Sequence, residues 1–187
     1  MRRDPGPVGS LLPTTVTRRF TTADELDALC AGIESSFVHL ETRDSYGTAT
    51  ESPHWAKWRR GEPDDLQWCE PYFRTLRAHR VAGRSCRRLR VVSEPMSEYQ
   101  QWVGSFVEAF VEAGEDNRYI SRQRLIDVLL PASGDFYVFD DALALFLHYA
   151  GDGTNTAFEV IDESDIVDSC RRAFETVWKL AVPVAEL

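Results

Sequence analysis

The sequence predicts an α/β (α+β) fold, a mixed β-sheet flanked by helices, on three observations. Short runs of β-branched and aromatic residues alternate with stretches whose apolar residues recur at three and four. Later, two apolar runs flank an Asp-Asp pair and a third follows a GDG turn, the pattern of an antiparallel meander. Finally, 187 residues with 43% hydrophobic and 27% charged side chains suit one globular domain. A chain of this size buries roughly 70% of the surface it exposes unfolded, so its core needs no metal or disulfide.

Residues 1–20 hold three prolines, two glycines and few apolar side chains, and are expected to form a flexible tail before a single domain over 21–187. From Thr22 the pattern turns helical: Thr21 or Thr22 caps, Asp24 and Glu25 occupy the first turn, and Leu26, Leu29 and Ile33 share a face. SSFVHLETRD then alternates as a strand, with Phe37, His39 and Glu41 on one side and Val38 and Leu40 on the other. A helical turn is expected over 53–59, where Trp55 and Trp58 share a face. A helix follows over 68–81, with Tyr72, Phe73 and Leu76 inward and Gly83 as its stop.

RRLRVVSEP reads as a buried strand closed by Pro95. One long helix is predicted over 97–113, because Tyr99, Trp102, Val103, Phe106, Val107 and Phe110 repeat at three and four before Gly114. NRYIS is a short strand, and a helical turn over 124–130 ends at Pro131. DFYVFDDALALFLHYAGDG forms the hairpin, AFEVI the next strand, and a last helix runs from about Glu163 through Ile166, Val167, Cys170, Phe174 and Val177 to Leu180.

Several chemistries find little support. Cys30, Cys69, Cys86 and Cys170 have no CxxC or CxxxH spacing and read as small buried hydrophobes, so no metal site or cofactor is predicted. GxGxxG, P-loop and GxSxG patterns are absent around Ser93, Ser97 and Ser133. His39 and His148 stand on strands, where a hydrogen-bonded or exposed histidine is the simpler account. The Asp140–Asp141 pair reads as a turn rather than a metal ligand. The start lacks the apolar run of a signal peptide, and no stretch approaches the roughly 20 apolar residues that span a bilayer. A cytoplasmic protein without membrane contact is expected.

Charge is unevenly distributed. Arg74 to Arg90 holds seven arginines and no acid, with Arg74, Arg77 and Arg80 at helical spacing, whereas Glu108 to Asp168 has 14 acids against three arginines. A net charge of -9 disfavours direct nucleic-acid binding, and the two poles suit pairing within the fold or with another protein. In open α/β sheets ligands sit beyond the carboxyl ends of the strands. Polar groups expected there nominate Arg43, Tyr46, Glu94, Tyr99, Glu115, Arg118 and Asp135 as one ligand-binding cleft. The arginines would clamp a small anion, the acids orient them, and the tyrosines form a wall. An alternative enzyme, a hydrolase or transferase of specialised metabolism, would use Glu94 and Glu115 as acid and base. A second alternative is a nucleic-acid module built on Arg74 to Arg90.

Taken together in this order, LETRDSY, W-RRGEP, RRLRVVSEPMSEY, AGEDNRY, DFYVFDD and AFETVWKLAVP resemble an uncharacterised actinobacterial family known only as a domain of unknown function, over residues 37–185. The chain departs from that pattern at Asn117, where isoleucine is common, and at Leu187, where an aromatic is usual. Only two of 21 basic residues are lysines, a bias that fits a GC-rich actinobacterial genome. Members look like gene neighbours of helix-turn-helix regulators, which implies a non-enzymatic regulatory or ligand-sensing role with such a regulator, or another protein, as partner. The order of strands and helices also resembles a phospholipase-D-like half-unit, whose hairpin carries HxKxxxxD. Counted back from Asp140, the histidine and lysine positions are Ser133 and Asp135, so the resemblance implies a scaffold without its catalytic motif.

Overall fold

A computed structural model describes residues 17–132 and 134–186. The strands are β1 (Arg18–Phe20), β2 (Ser36–Glu41), β3 (Ser85–Val92), β4 (Glu115–Ser121), β5 (Phe136–Phe139), β6 (Leu143–Tyr149) and β7 (Asn155–Ile161). They form one mixed sheet of order β1-β7-β6-β5-β2-β3-β4. β2, β3 and β4 run parallel, while β5 joins β2 antiparallel and leads into the β5-β6-β7 meander, with β1 antiparallel at its edge. The predicted mixed sheet flanked by helices is therefore present.

The helices are α1 (Ala23–Ala31), α2 (Ser52–Arg59), α3 (Glu70–Val81), α4 (Glu98–Gly104), α5 (Val107–Ala113) and α6 (Ser164–Trp178). α6 covers one sheet face, packing Val167, Cys170, Phe174 and Val177 against Val38, Leu40, Leu89, Ile120 and Phe136. On the other face Phe37, Cys86, Tyr137 and Leu145 pack with Cys30, Ile33, Phe73 and Leu76 from α1, α3 and their flanks. The side assignment for 37–41 follows from the two-residue period of a strand. All four cysteines are buried and unpaired. Burial pushes the Cys30, Cys69 and Cys86 thiols up to about 12, as expected of apolar packing groups. The hairpin turn holds Asp140 and Asp141 at φ 51° and 54°, a left-handed pair that aspartate tolerates. Asp140 also accepts hydrogen bonds from the backbone of Glu34, Ser35 and Ser36, tying the turn to the start of β2.

Four expectations change. Residues 18–20, assigned to the tail, form β1, because Phe20 stacks on Phe158 at 5.0 Å and the strand pairs with β7. The rest of the tail expectation, residues 1–16, lies outside the described residues, as do Ser133 and Leu187. The long helix over 97–113 breaks at Ser105 and Phe106, since α4 packs on α2 whereas α5 packs on α3 and β4. Its apolar period is continuous, but the two halves serve different neighbours. The turn over 124–130 is instead a 3-10 turn at Arg122–Leu125, and β4 starts two residues before NRYIS, at Glu115.

Candidate functional site

The parallel strands end at Glu41, Val92 and Ser121, and the chain beyond β2 forms a strap, residues 42–66, that carries α2 across this end of the sheet. Gly47 and Gly153 anchor its start: Gly47 N–H donates to Gly153 O at 3.0 Å, and a Cβ on Gly153 would sit 2.9 Å from Gly47 N. Such contact excludes any side chain there. Asp44 then clips the strap to the end of β3, accepting from Ser93 N–H at 2.8 Å and Ser93 Oγ at 2.7 Å.

Four of the seven predicted cleft residues meet beneath this strap. Asp135 Oδ1 accepts from Thr42 N–H and Oγ1, each at 2.7 Å, and Tyr46 Oη donates to Oδ2. Tyr46 lies 5.8 Å from Tyr99 and 5.3 Å from Tyr149 between ring centres, and Arg43 stacks 5.1 Å above Tyr149. Tyr99 Oη donates to Glu51 Oε2 at 2.9 Å. Burial pushes both the Asp135 and the Glu51 carboxyl above the usual carboxylate range, against the hydrogen bonds that favour ionisation. Trp55, Trp58, Trp68 and Trp102 complete an aromatic cluster around them. Within it, Arg43 Nε and the indole nitrogens of Trp55 and Trp68 are buried without a hydrogen-bond partner.

The other three do not join them. Glu94 is exposed beyond β3. Glu115 starts β4, opposite Cys86, about six residues or roughly 20 Å along the strand from the carboxyl end. The proposed Glu94–Glu115 acid and base pair therefore stands at opposite ends of the sheet. Arg118 points to the α6 face, its guanidinium 4.4 Å above Trp178, because residues 115 and 118 of one strand face opposite sides. The early start of β4 and this parity account for both corrections.

Glu115 instead belongs to a buried ionic network that the sequence reading did not identify. Arg88 Nε lies 3.1 Å from Glu115 Oε2, and its Nη1 donates to Glu41 Oε1 at 2.5 Å. Arg90 Nε sits 2.7 Å from Glu41 Oε2, and its Nη1 donates to Asn117 Oδ1 at 2.7 Å. Tyr72 Oη donates to Glu115 Oε1 at 2.6 Å. Burial alone would raise the Glu41 carboxyl, but Arg90 and Arg88 outweigh it and hold it at about 2. His39, stacked 3.7 Å from Tyr137, has both ring nitrogens buried without a hydrogen-bond partner. Burial and Arg88 keep it neutral, well below the ordinary histidine range. The available signal was register: β2 pairs His39 with Arg88 and Glu41 with Arg90. His148, by contrast, meets Glu159 at 3.0 Å.

The basic segment divides between surfaces. Arg88 and Arg90 face the interior, Arg87 lies on the α6 face beside Glu175, and Arg77 pairs with Glu70. Only part of it is left to meet a polyanion. Among the described residues no three His, Cys, Asp or Glu side chains are placed to hold a metal ion, and no helix is long and apolar enough to cross a membrane.

The family model for the domain of unknown function DUF6879 matches residues 24–187. No curated protein matches. Solved structures that share the fold include two of low sequence identity. NucT from Helicobacter pylori is 7% identical with a TM-score of 0.54, covering 89% of this chain and 97% of that one. TrmBL2, an archaeal chromatin protein with a novel mode of DNA binding, is 10% identical with a TM-score of 0.50. The match covers 89% of this chain and spans only 55% of TrmBL2.

Proposed function

The chain belongs to the DUF6879 family, and we propose that it is a non-enzymatic, ligand-sensing regulatory domain on a phospholipase-D-like scaffold, working in an actinobacterial cytoplasm beside a helix-turn-helix regulator. The observation that carries this reading is the environment of Asp135. Counted from Asp140, the spacing of such a scaffold's catalytic motif would put a lysine where Asp135 stands, and the Asp135 carboxylate is enclosed by Thr42 and Tyr46. An acid there removes the cation that phosphodiester chemistry needs. What the site retains is recognition: buried donors on Arg43, Trp55 and Trp68 lack partners, and an anionic ligand entering beneath the strap would supply acceptors.

The likeness to TrmBL2 supports the regulatory half of the proposal. That protein binds DNA, and a match spanning 55% of it leaves room there for a further part, a division of labour that a separate regulator would provide here. A net charge of -9 agrees with contact through such a partner rather than with DNA directly. Isothermal titration with inorganic phosphate and with adenosine monophosphate tests the site. The wild type is expected to bind at least one of them, and Arg43→Met to lose that heat while keeping its circular dichroism spectrum and melting temperature. No heat with either probe would refute the anion site. Turnover of bis(p-nitrophenyl) phosphate that Asp135→Asn abolishes would refute the non-enzymatic reading.

A further inference from the structure

We propose that the turn after β4 and the adjoining side of α6 form a two-fold interface between two copies of this chain. Ile126 and Leu129 are each 95% exposed, although Leu125 beside them is buried and Val128 and Leu130 pack on the core under α6. The turn is thus anchored on alternate sides, and its two outward aliphatic side chains cannot fold back. Isolated exposed leucines are ordinary; two on one anchored turn beside a groove are a presented patch.

That groove runs between the turn and α6, lined by Asp127, Leu129, Ser169, Arg172, Ala173 and Thr176. Projection and recess therefore adjoin on one face, as a contact between identical patches requires. Charge selects the occupant. Among the described residues Asp127, on the turn side, makes no ion pair, and the Arg172 guanidinium, on the helix side, donates to Ser169 Oγ at 3.1 Å and meets no acid. A two-fold axis through the groove brings Asp127 of each copy against Arg172 of the other, forming two ion pairs at once, while Leu129 enters the opposite recess. A second copy provides this match without any further assumption.

Sedimentation equilibrium of the full chain, over roughly 1 to 100 μM, tests the interface. The wild type is expected to dimerise, and Ile126→Glu or Leu129→Glu to be monomeric with an unchanged thermal melt, since both positions are exposed. Asp127→Arg should weaken the dimer about tenfold or more, and adding Arg172→Asp should restore it. A wild type that stays monomeric at the highest concentration overturns the proposal, including when Leu129→Glu blocks capture of a regulator, which would assign the face to a foreign protein. A dimer indifferent to both glutamate variants overturns it as well.

Discussion

The two faces of the sheet are built from the same strands and held by different physics. Under α6 the core is aliphatic and aromatic, and the Arg87 and Arg118 guanidinium groups sit over Phe174 and Trp178, at 5.2 Å from both rings and 4.4 Å from Trp178 respectively, with Arg87 also bonded to Glu175. Opposite, Glu41, Arg88, Arg90 and Glu115 are enclosed, and every charge depends on a partner from another strand. Apolar packing degrades gradually when altered. A buried ionic network fails as a unit, because removing one member leaves an uncompensated charge. The first face stabilises the domain; the second constrains which side chains can stand next to the strand-end site.

The sharpest way to break that contrast is Arg88→Met, which strands Glu115, leaves Glu41 to Arg90 alone and should cost about 3–5 kcal/mol in urea unfolding. Adding Glu115→Gln should recover much of the loss, since Glu41 keeps Arg90 as its partner. Phe174→Ala, on the α6 face, should cost a comparable 3–5 kcal/mol through a cavity, and no second charge change should rescue it. If both losses behave alike under the paired substitutions, the distinction between the faces is wrong.

A smaller effect comes from acid. Glu41 is depressed from 4.5 to about 2, so its contribution is present above its unfolded value and disappears as pH falls from about 4.5 toward 2, on the order of 3 kcal/mol. His39 is also depressed: the unfolded chain takes up a proton below about pH 6.5 that the folded chain refuses, so stability already declines there. Asp135 and Glu51 act in the opposite sense, since raised carboxyls stabilise at low pH and lose that contribution as pH rises through their folded values. His39→Gln should flatten unfolding free energy between pH 6.5 and 4.5, and an unchanged slope would show that another group controls this limb.

Smaller again, Tyr46→Phe removes a donor from buried Asp135 and should cost about 1–3 kcal/mol. Smallest, Arg118→Met should cost under about 1 kcal/mol, because its side chain is 34% exposed and loses mainly one stacking contact. Melting temperatures of the two variants rank them, and a larger loss at Arg118 would place significant ionic stabilisation on the α6 face.

The strand-end argument nominated Arg43 and Tyr46 beyond the end of β2, and Tyr99 from the first turn of α4 and Asp135 just before β5 meet them there. It failed for Glu115 and Arg118, where a two-residue error in the start of β4 and the alternation of a strand send the side chains elsewhere. Arg88 and Arg90 looked like part of a basic surface, since a string of arginines reads as solvated until a facing strand supplies Glu41. Glu51 gave no signal in its turn-rich segment, as its role arises from burial under neighbours distant in sequence.

By itself the sequence determined the local matters: most of the strands and helices, the aspartate turn between β5 and β6, and which residues of β2 face which side. Those depend on periods of two and 3.6 residues and on conformational preferences within a few residues of chain. Tertiary structure alone decided that β5 lies beside β2, bringing Asp135 to Thr42 across 93 positions, and that one apolar helix pattern divides into α4 and α5. The physical reason is that strand order and burial follow from which surfaces exclude water together, a property of the assembled layers that no local pattern encodes.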